Sequence, residues 1–100
     1  MREITVEELK AMQKQGESFQ LIDVREPHEY DEANLGATLI PLGQVKDEVD
    51  QIERDKPVVV HCRSGKRSAQ AIQYLEQNHG FDNLHNLKGG ILAYQEAEQE

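Results

Sequence analysis

Short apolar runs alternate with longer amphipathic stretches along this chain. The apolar runs predict strands at 3–4, 19–24, 38–40, 57–61 and 83–87. Residues at helical spacing predict helices at about 6–16, 26–30, 45–52, 68–79 and 91–99. The first of these helices begins with a capping-box pattern, Thr5 followed by Glu8. Strands that alternate with helices over the whole length predict an α/β fold, with a mostly parallel sheet covered by helices on both faces.

The length of 100 residues allows one small core, so we expect a single domain over 1–100. The longest apolar runs fall well short of the roughly 18–20 residues that a membrane span needs, and the first residues resemble no signal peptide. The only cysteine excludes an internal disulfide and fits a reducing, cytoplasmic compartment. A net charge of -8 argues against nucleic acid as a general partner.

One segment departs from this acidic background. The only cysteine, Cys62, lies in the segment 61–68, HCRSGKRS, between the fourth predicted strand and the fourth predicted helix. Its sulfur has three cations within five residues: Arg63, Lys66 and Arg67. Backbone N–H groups of a tight loop and the positive end of a helix form a cradle for anions, and such a setting lowers the pKa of a thiol. We therefore expect an accessible, reactive thiolate rather than a buried structural cysteine.

Asp23 and Arg25 form a second polar group, at the carboxyl end of another predicted strand. Ligands of parallel α/β sheets bind at these ends, so Arg25 could line the pocket or Asp23 could orient the loop of Cys62. Alternatively, the two residues brace the strand end and the following helix. The four histidines lack the spacing of convergent ligands, and neither a metal nor a cofactor is expected.

The chain resembles single-domain rhodanese-like proteins, the thiosulfate sulfurtransferase family, almost from end to end. The segments that carry the resemblance are 21–26 (LIDVRE) with 29–30 (EY), 40–42 (IPL), 59–68 (VVHCRSGKRS) and 87–91 (LKGGI). The resemblance implies a five-stranded sheet flanked by helices and a cysteine, Cys62, that becomes a persulfide. It implies a sulfurtransferase that takes a sulfur atom from thiosulfate, or from another persulfide donor, and passes it to a nucleophilic acceptor.

The rest of the loop supplies candidate substrate-binding groups. These are Arg63, Ser64, Gly65, Lys66, Arg67 and Ser68. The cations can bind the anionic end of a donor, although Arg67 can instead brace the loop. The Ser68 hydroxyl can donate to the sulfur or cap the helix, and Gly65 permits the backbone conformation of a tight cradle. Asp23 and Arg25 are supporting residues.

Two other functions remain open. A persulfide carrier or docking module would hold sulfur for a sulfur-carrier protein with little turnover of its own. A phosphatase or arsenate reductase is disfavoured, because those related enzymes place five residues between cysteine and arginine, whereas four separate Cys62 from Arg67. The expected partners are thus a small anionic sulfur donor and a thiol or sulfur-carrier acceptor.

Overall fold

The fold is built on a five-stranded sheet, which a computed structural model describes together with the rest of residues 1–99. All strand pairs are parallel, and the strand order is β1-β5-β4-β2-β3. The strands are β1 Arg2–Ile4, β2 Gln20–Asp23, β3 Thr38–Leu39, β4 Val58–His61 and β5 Leu84–Leu87. The helices are α1 Val6–Lys14, α2 Pro27–Glu32, α3 Lys66–His79 and α4 Gly90–Glu98. The expected α/β fold is confirmed; the predicted domain extends to Glu100, which lies outside the described residues.

Apolar side chains cover both faces of the sheet. Val58 and Val60 pack on one face with residues of α3, whereas Val59 packs on the other face with residues of α1 and α4. All three valines are at most 1% exposed. Because successive side chains of a strand point to opposite faces, a strand buried on both faces must be apolar at every position. The run of valines before Cys62 therefore places the loop at the end of a rigid central strand.

The start of α1 follows the capping-box pattern. The Glu8 N–H donates to the Thr5 hydroxyl oxygen at 3.1 Å, and the Glu8 carboxylate accepts from the Thr5 N–H at 2.9 Å. The two bonds satisfy backbone N–H groups that have no carbonyl partner within the helix. This prediction is confirmed.

Two predicted helices are wrong in detail. The segment 45–52 forms two short 3₁₀ helices, Leu42–Asp47 and Val49–Gln51, rather than one α-helix. Gly43 and the β-branched valines favour an α-helix poorly, and burial of Val45 needs only a single turn. The helix after the loop begins at Lys66, two residues before the expected start at Ser68.

The carboxyl ends of three neighbouring strands meet beside the loop. Cys62 follows β4, Asp23 ends β2, and Asn86 lies near the end of β5. Asn86 pairs in register with Val60. The strand order thus assembles a site from segments that are far apart in the sequence. Within residues 1–99, no helix is long and apolar enough to cross a membrane.

Candidate active site

The loop after β4 curls around the sulfur of Cys62. The Gly65 N–H donates to Cys62 Sγ at 3.1 Å, and the Ser68 hydroxyl oxygen lies 3.4 Å from the same sulfur. Gly65 has a φ of +108° and immediately precedes α3. A side chain at this φ would strain the backbone, so glycine is what lets the chain turn its N–H groups toward the sulfur.

These contacts change the acidity of the thiol. Burial of Cys62 favours the neutral form and opposes ionisation, but hydrogen bonds outweigh it and lower the pKa of the thiol. The donors are the hydroxyl and backbone N–H of Ser68, followed by the backbone N–H groups of Gly65 and Ser64. The lowered pKa agrees with the thiolate that the loop predicts.

The accessible thiol expected from the sequence is wrong. Cys62 is 1% exposed and belongs to the same apolar cluster as Val60 and Ala71. Its sulfur contacts Gly65 and Ser68, at the start of α3. Its hydrogen bonds, and not its exposure, distinguish it from a structural cysteine.

The three cations of the loop have different surroundings. Arg63 and Lys66 are exposed, and neither pairs with a carboxylate among residues 1–99. Arg67 instead forms a two-bond ion pair with Glu29 of α2, at 2.7 and 2.8 Å. This pair connects the start of α3 to α2, which is the bracing role that the sequence left open for Arg67.

Ser68 does not cap α3. The residue before α3 is Gly65, and Ser68 lies in the first turn with its side chain completely buried. Its hydroxyl donates to Asn86 Oδ1 at 2.6 Å and faces Cys62 Sγ. Because the helix begins two residues earlier than predicted, the hydroxyl that was expected at the helix end is available to the sulfur.

Asp23 and Arg25 brace the end of β2. The Arg25 guanidinium donates to both carboxylate oxygens of Asp23, and its second nitrogen donates to the Ala33 carbonyl at 2.7 Å. Asp23 is fully buried and Arg25 is 4% exposed. The carboxylate that could have oriented the loop is thus engaged with Arg25. A buried charge needs such a partner, and this pair also anchors the segment after α2.

His61, the last residue of β4, is completely buried next to the loop. Burial lowers the pKa of its imidazole, although Asp23, 3.7 Å away, favours the charged form. Its Nδ1 lies 3.3 Å from the Cys62 carbonyl oxygen. Residues 1–99 contain no group of three or more His, Cys, Asp or Glu side chains that could hold a metal ion.

The first turn of α4 also holds the loop, through contacts that the sequence did not reveal. The Ile91 N–H donates to the Cys62 carbonyl at 2.9 Å, and the Leu92 N–H donates to the Arg63 carbonyl at 3.2 Å. These are N–H groups of the first turn, which have no partner inside the helix. In the sequence, the segment 87–91 contributes only to the family resemblance. Nothing in its local pattern indicates a contact with Cys62.

Asn86 is a further loop contact that the sequence did not identify. It is 5% exposed, and its Nδ2 donates to the Gly65 carbonyl at 3.1 Å. A polar residue near the end of an apolar strand was the available signal, but its partners depend on the strand order. Asn86 therefore connects β5 to both ends of the sulfur-binding turn, at Gly65 and at Ser68.

A cleft of about 310 Å³ opens beside the loop. Its lining includes Arg25, His28, Glu29 and Arg63, together with Leu92. Leu92 is 41% exposed, which is unusual for a leucine of this chain. The cleft therefore combines cationic groups with an apolar edge next to the peptide that carries Cys62.

Comparison with known proteins identifies the family. The family model that describes the sequences of rhodanese-like domains matches residues 5–97 of this chain. An uncharacterized protein of Bacillus subtilis, YqhL, is 44% identical over 95 residues, which cover 94% of this chain and 72% of that protein. A protein named Sulfurtransferase from Allochromatium vinosum is 36% identical over 95 residues, which cover 94% of this chain and 88% of that protein. The chain belongs to the rhodanese-like domain family, as its motifs indicated.

A solved structure agrees with this assignment. The rhodanese-like domain protein of Staphylococcus aureus superposes with a TM-score of 0.86 and is 33% identical. The match covers 94% of this chain and 91% of that one. Both the fold and the family relationship thus support a rhodanese-type sulfurtransferase at the level of the family.

Proposed function

We propose that this protein is a sulfurtransferase that carries sulfur as a persulfide on Cys62. The observation that supports this most directly is the set of hydrogen-bond donors from Gly65 and Ser68 around the sulfur. They stabilise negative charge on the sulfur, and a thiolate is the form of cysteine that attacks. The name of the relative from Allochromatium vinosum supports the same class of reaction.

The reaction proceeds in two displacements. The Cys62 thiolate attacks the outer sulfur of thiosulfate, the S–S bond of the donor breaks, and its electron pair leaves with sulfite. Cys62 then carries a persulfide anion, which the N–H groups of the loop stabilise. A nucleophilic acceptor, such as a thiolate or cyanide, attacks the outer sulfur, and the Cys62 thiolate leaves. Sulfur oxidation states balance over the cycle, so neither an external oxidant nor a cofactor is needed.

The cations of the site have separate roles in this proposal. Arg63 and Lys66 bind the anionic end of the sulfur donor. Both side chains are exposed, and neither forms an ion pair with a carboxylate of residues 1–99. Arg67 holds the loop through Glu29, and Arg25 supports the neighbouring strand end. We infer a cytoplasmic location, because a free thiol persists best in a reducing compartment.

Thiocyanate formation from thiosulfate and cyanide tests the proposal. We expect turnover by the wild-type protein and none by Cys62→Ser with an unchanged circular dichroism spectrum. Lys66→Gln should raise the KM for thiosulfate several-fold with a smaller effect on kcat, since it removes a donor-binding charge. Lys14→Gln, which removes an exposed charge at the far end of α1, is the matched control. Turnover that survives Cys62→Ser would falsify the proposal.

A persulfide carrier is the second candidate. Burial of Cys62 and the exposed Leu92 at the cleft favour it, because a protein acceptor could use the apolar edge to dock. Mass spectrometry after incubation with thiosulfate separates the two candidates. A persulfide that persists in the presence of cyanide and small thiols indicates a carrier, whereas rapid loss of the extra sulfur indicates an independent enzyme.

A further inference from the structure

Asn86 occupies an unusual position for a side chain of a central strand. It is nearly buried, and both ends of its carboxamide are engaged by the loop of Cys62. Its Oδ1 accepts the Ser68 hydroxyl at 2.6 Å, and its Nδ2 donates to the Gly65 carbonyl at 3.1 Å. Both of these residues also contact the sulfur, Ser68 through its hydroxyl and Gly65 through its N–H. Asn86 thus reaches the sulfur through two different intermediaries.

Asn86 Oδ1 and Cys62 Sγ compete for the one hydrogen of the Ser68 hydroxyl. A hydroxyl group has a single hydrogen to donate and two lone pairs that accept. The Ser68 oxygen lies 2.6 Å from Asn86 Oδ1 and 3.4 Å from Cys62 Sγ, so the hydrogen cannot serve both acceptors fully. The shorter distance favours Asn86 as long as the sulfur is uncharged. A thiolate is a much stronger acceptor and draws the same hydrogen toward itself.

We propose that Asn86 is a positioning residue for the transfer of sulfur. Its Oδ1 accepts the hydrogen bond of the Ser68 hydroxyl while Cys62 Sγ is uncharged, and the hydroxyl donates to Sγ instead when the sulfur is a thiolate. The proposal rests on the proposed function. In the thiol and persulfide states Sγ carries no charge, and the Ser68 hydrogen stays with Asn86. In the free thiolate it turns to the sulfur and leaves Asn86 Oδ1 without that donor. Asn86 therefore limits how strongly Ser68 stabilises the thiolate.

A purely structural role for Asn86 predicts the opposite sign. If its main contribution were to hold Gly65 in place through the carbonyl, its loss would misplace the Gly65 N–H and weaken the thiolate. If instead it competes for the Ser68 hydrogen, its loss frees that hydrogen for the sulfur and strengthens the thiolate. The direction of the change in Cys62 reactivity distinguishes the two roles.

Other charged groups around the loop do not take part in this competition. They come from the elements packed against it: Asp23 from the end of β2, Arg25 from the segment after it, Glu29 from α2, His61 from β4, Arg63 from the loop, Lys66 and Arg67 from α3, and Lys88 from the turn after β5. Substitution of Asn86 removes none of them, so their effect on the thiol is common to all the variants compared.

Alkylation of Cys62 by iodoacetamide as a function of pH provides the first test. We expect Asn86→Ala to shift the midpoint to lower pH and to raise the alkylation rate below the midpoint by roughly fivefold, which corresponds to the loss of one competing hydrogen bond. Ser68→Ala should shift the midpoint to higher pH. In the Ser68→Ala background, Asn86→Ala should have no further effect, because no hydrogen remains to be shared.

A slower alkylation in Asn86→Ala, or an equal effect of Asn86→Ala with and without Ser68, overturns the proposal. Alkylation requires only the thiolate and not sulfur transfer. If alkylation behaves as expected while no thiocyanate is formed, the proposed function fails and the role of Asn86 in the ionisation stands. If thiocyanate is formed and the alkylation result is contrary, only the role of Asn86 fails.

Side-chain NMR of the wild-type protein gives a second test that does not depend on the folding of a variant. The carboxamide carbon of Asn86 should shift as Cys62 ionises, because Oδ1 loses the Ser68 hydrogen. Asn83 is the matched control, since it lies just before β5, at the end of the strand away from the loop, and its Nδ2 donates to the Glu53 and Lys56 carbonyls. A carbon resonance of Asn86 that does not move through the titration contradicts the proposal, as does an equal shift in Ser68→Ala.

Discussion

The ion pair of Glu29 and Arg67 connects two helices beside the thiol loop. Its two hydrogen bonds are short, and the carboxylate is partly shielded from solvent, with 17% of its side chain exposed. Arg67 is the main cause that lowers the pKa of Glu29 to about 2, against the opposing effect of burial. Arg67 is thus engaged in an ion pair between two helices. Arg63 and Lys66 are exposed and form no ion pair among residues 1–99.

This pair predicts a dependence of stability on pH. The pKa of Glu29 is lower in the folded protein, so its contribution is fully present above its ordinary pKa of about 4.5 and is lost as the pH falls through about 2. Glu29→Gln should lower the free energy of unfolding by about 1 kcal/mol at neutral pH, since solvent screens a pair of this exposure. In urea denaturation the difference from wild type should shrink as the pH falls from 5 toward 2.

Asp31→Asn is the control for this measurement. Asp31 lies in the same helix, α2, and is exposed without an ion pair among residues 1–99. Its substitution should leave the free energy of unfolding nearly unchanged at every pH. A Glu29→Gln effect that is the same at pH 3 and at pH 7 would contradict the assignment of the low pKa to the ion pair.

The N-terminus of α4 is a second element, besides α3, that contacts the loop after β4. Its first N–H groups donate to the carbonyls of Cys62 and Arg63, and Gly90 lies directly against this peptide. A Cβ atom at Gly90 would lie 2.6 Å from the Cys62 carbonyl oxygen, and the φ of Gly90 is +61°. Close approach and backbone conformation both require glycine at this position.

Gly90→Ala should therefore affect both stability and reactivity. The clash with the Cys62 carbonyl forces the loop and α4 apart, which we expect to cost about 2–4 kcal/mol in the free energy of unfolding. The alkylation rate of Cys62 at neutral pH should change with it, because the N–H groups around the sulfur move. Gly36→Ala is the control that separates the effect of the clash from the effect of the backbone conformation. Gly36 has a similar φ of +74°, but nothing lies within 4 Å of the position that a Cβ atom would take there. Equal losses in the two variants would show that the close contact at Gly90 is unimportant.

At the scale of the whole molecule, one sheet supports two apolar layers. The cluster around Val58 and Val60 and the cluster around Val59 share the central strand β4, so neither layer can be lost without exposing the other. The site lies at the end of this same strand. Its geometry consequently depends on the complete fold and not on a locally stable segment.

This arrangement predicts one cooperative unfolding transition for the chain. A domain of this size with a shared core is expected to unfold in two states. Far-UV circular dichroism, tyrosine fluorescence and the alkylation rate of Cys62 should give the same midpoint in urea. Tyr94 in α4 and Tyr74 in α3 report on the two layers. A Tyr30→Phe/Tyr74→Phe variant leaves Tyr94 as the only tyrosine. A fluorescence change in this variant well before the circular dichroism change would show that α4 unfolds separately.

The order of strands and helices followed from the sequence, because each element carries its own periodicity and its own end signal. The capping box of Thr5 and Glu8 and the apolar run at 57–61 are local features of this kind. Local signals were insufficient at 45–52, where an amphipathic pattern produced 3₁₀ helices. They were also insufficient at Ser68, because Gly65 at a positive φ allowed the helix to begin earlier.

The sequence alone determined the α/β class and the position of the only cysteine in a loop with three cations, because these depend on residues adjacent in the chain. Only the tertiary structure decided that Cys62 is buried, that Arg67 pairs with Glu29 and that Asn86 and Gly90 contact the loop. These contacts join residues at least 18 positions apart, as from Ser68 to Asn86. They exist because β5 and β2 lie on either side of β4, and no local pattern specifies which strands become neighbours.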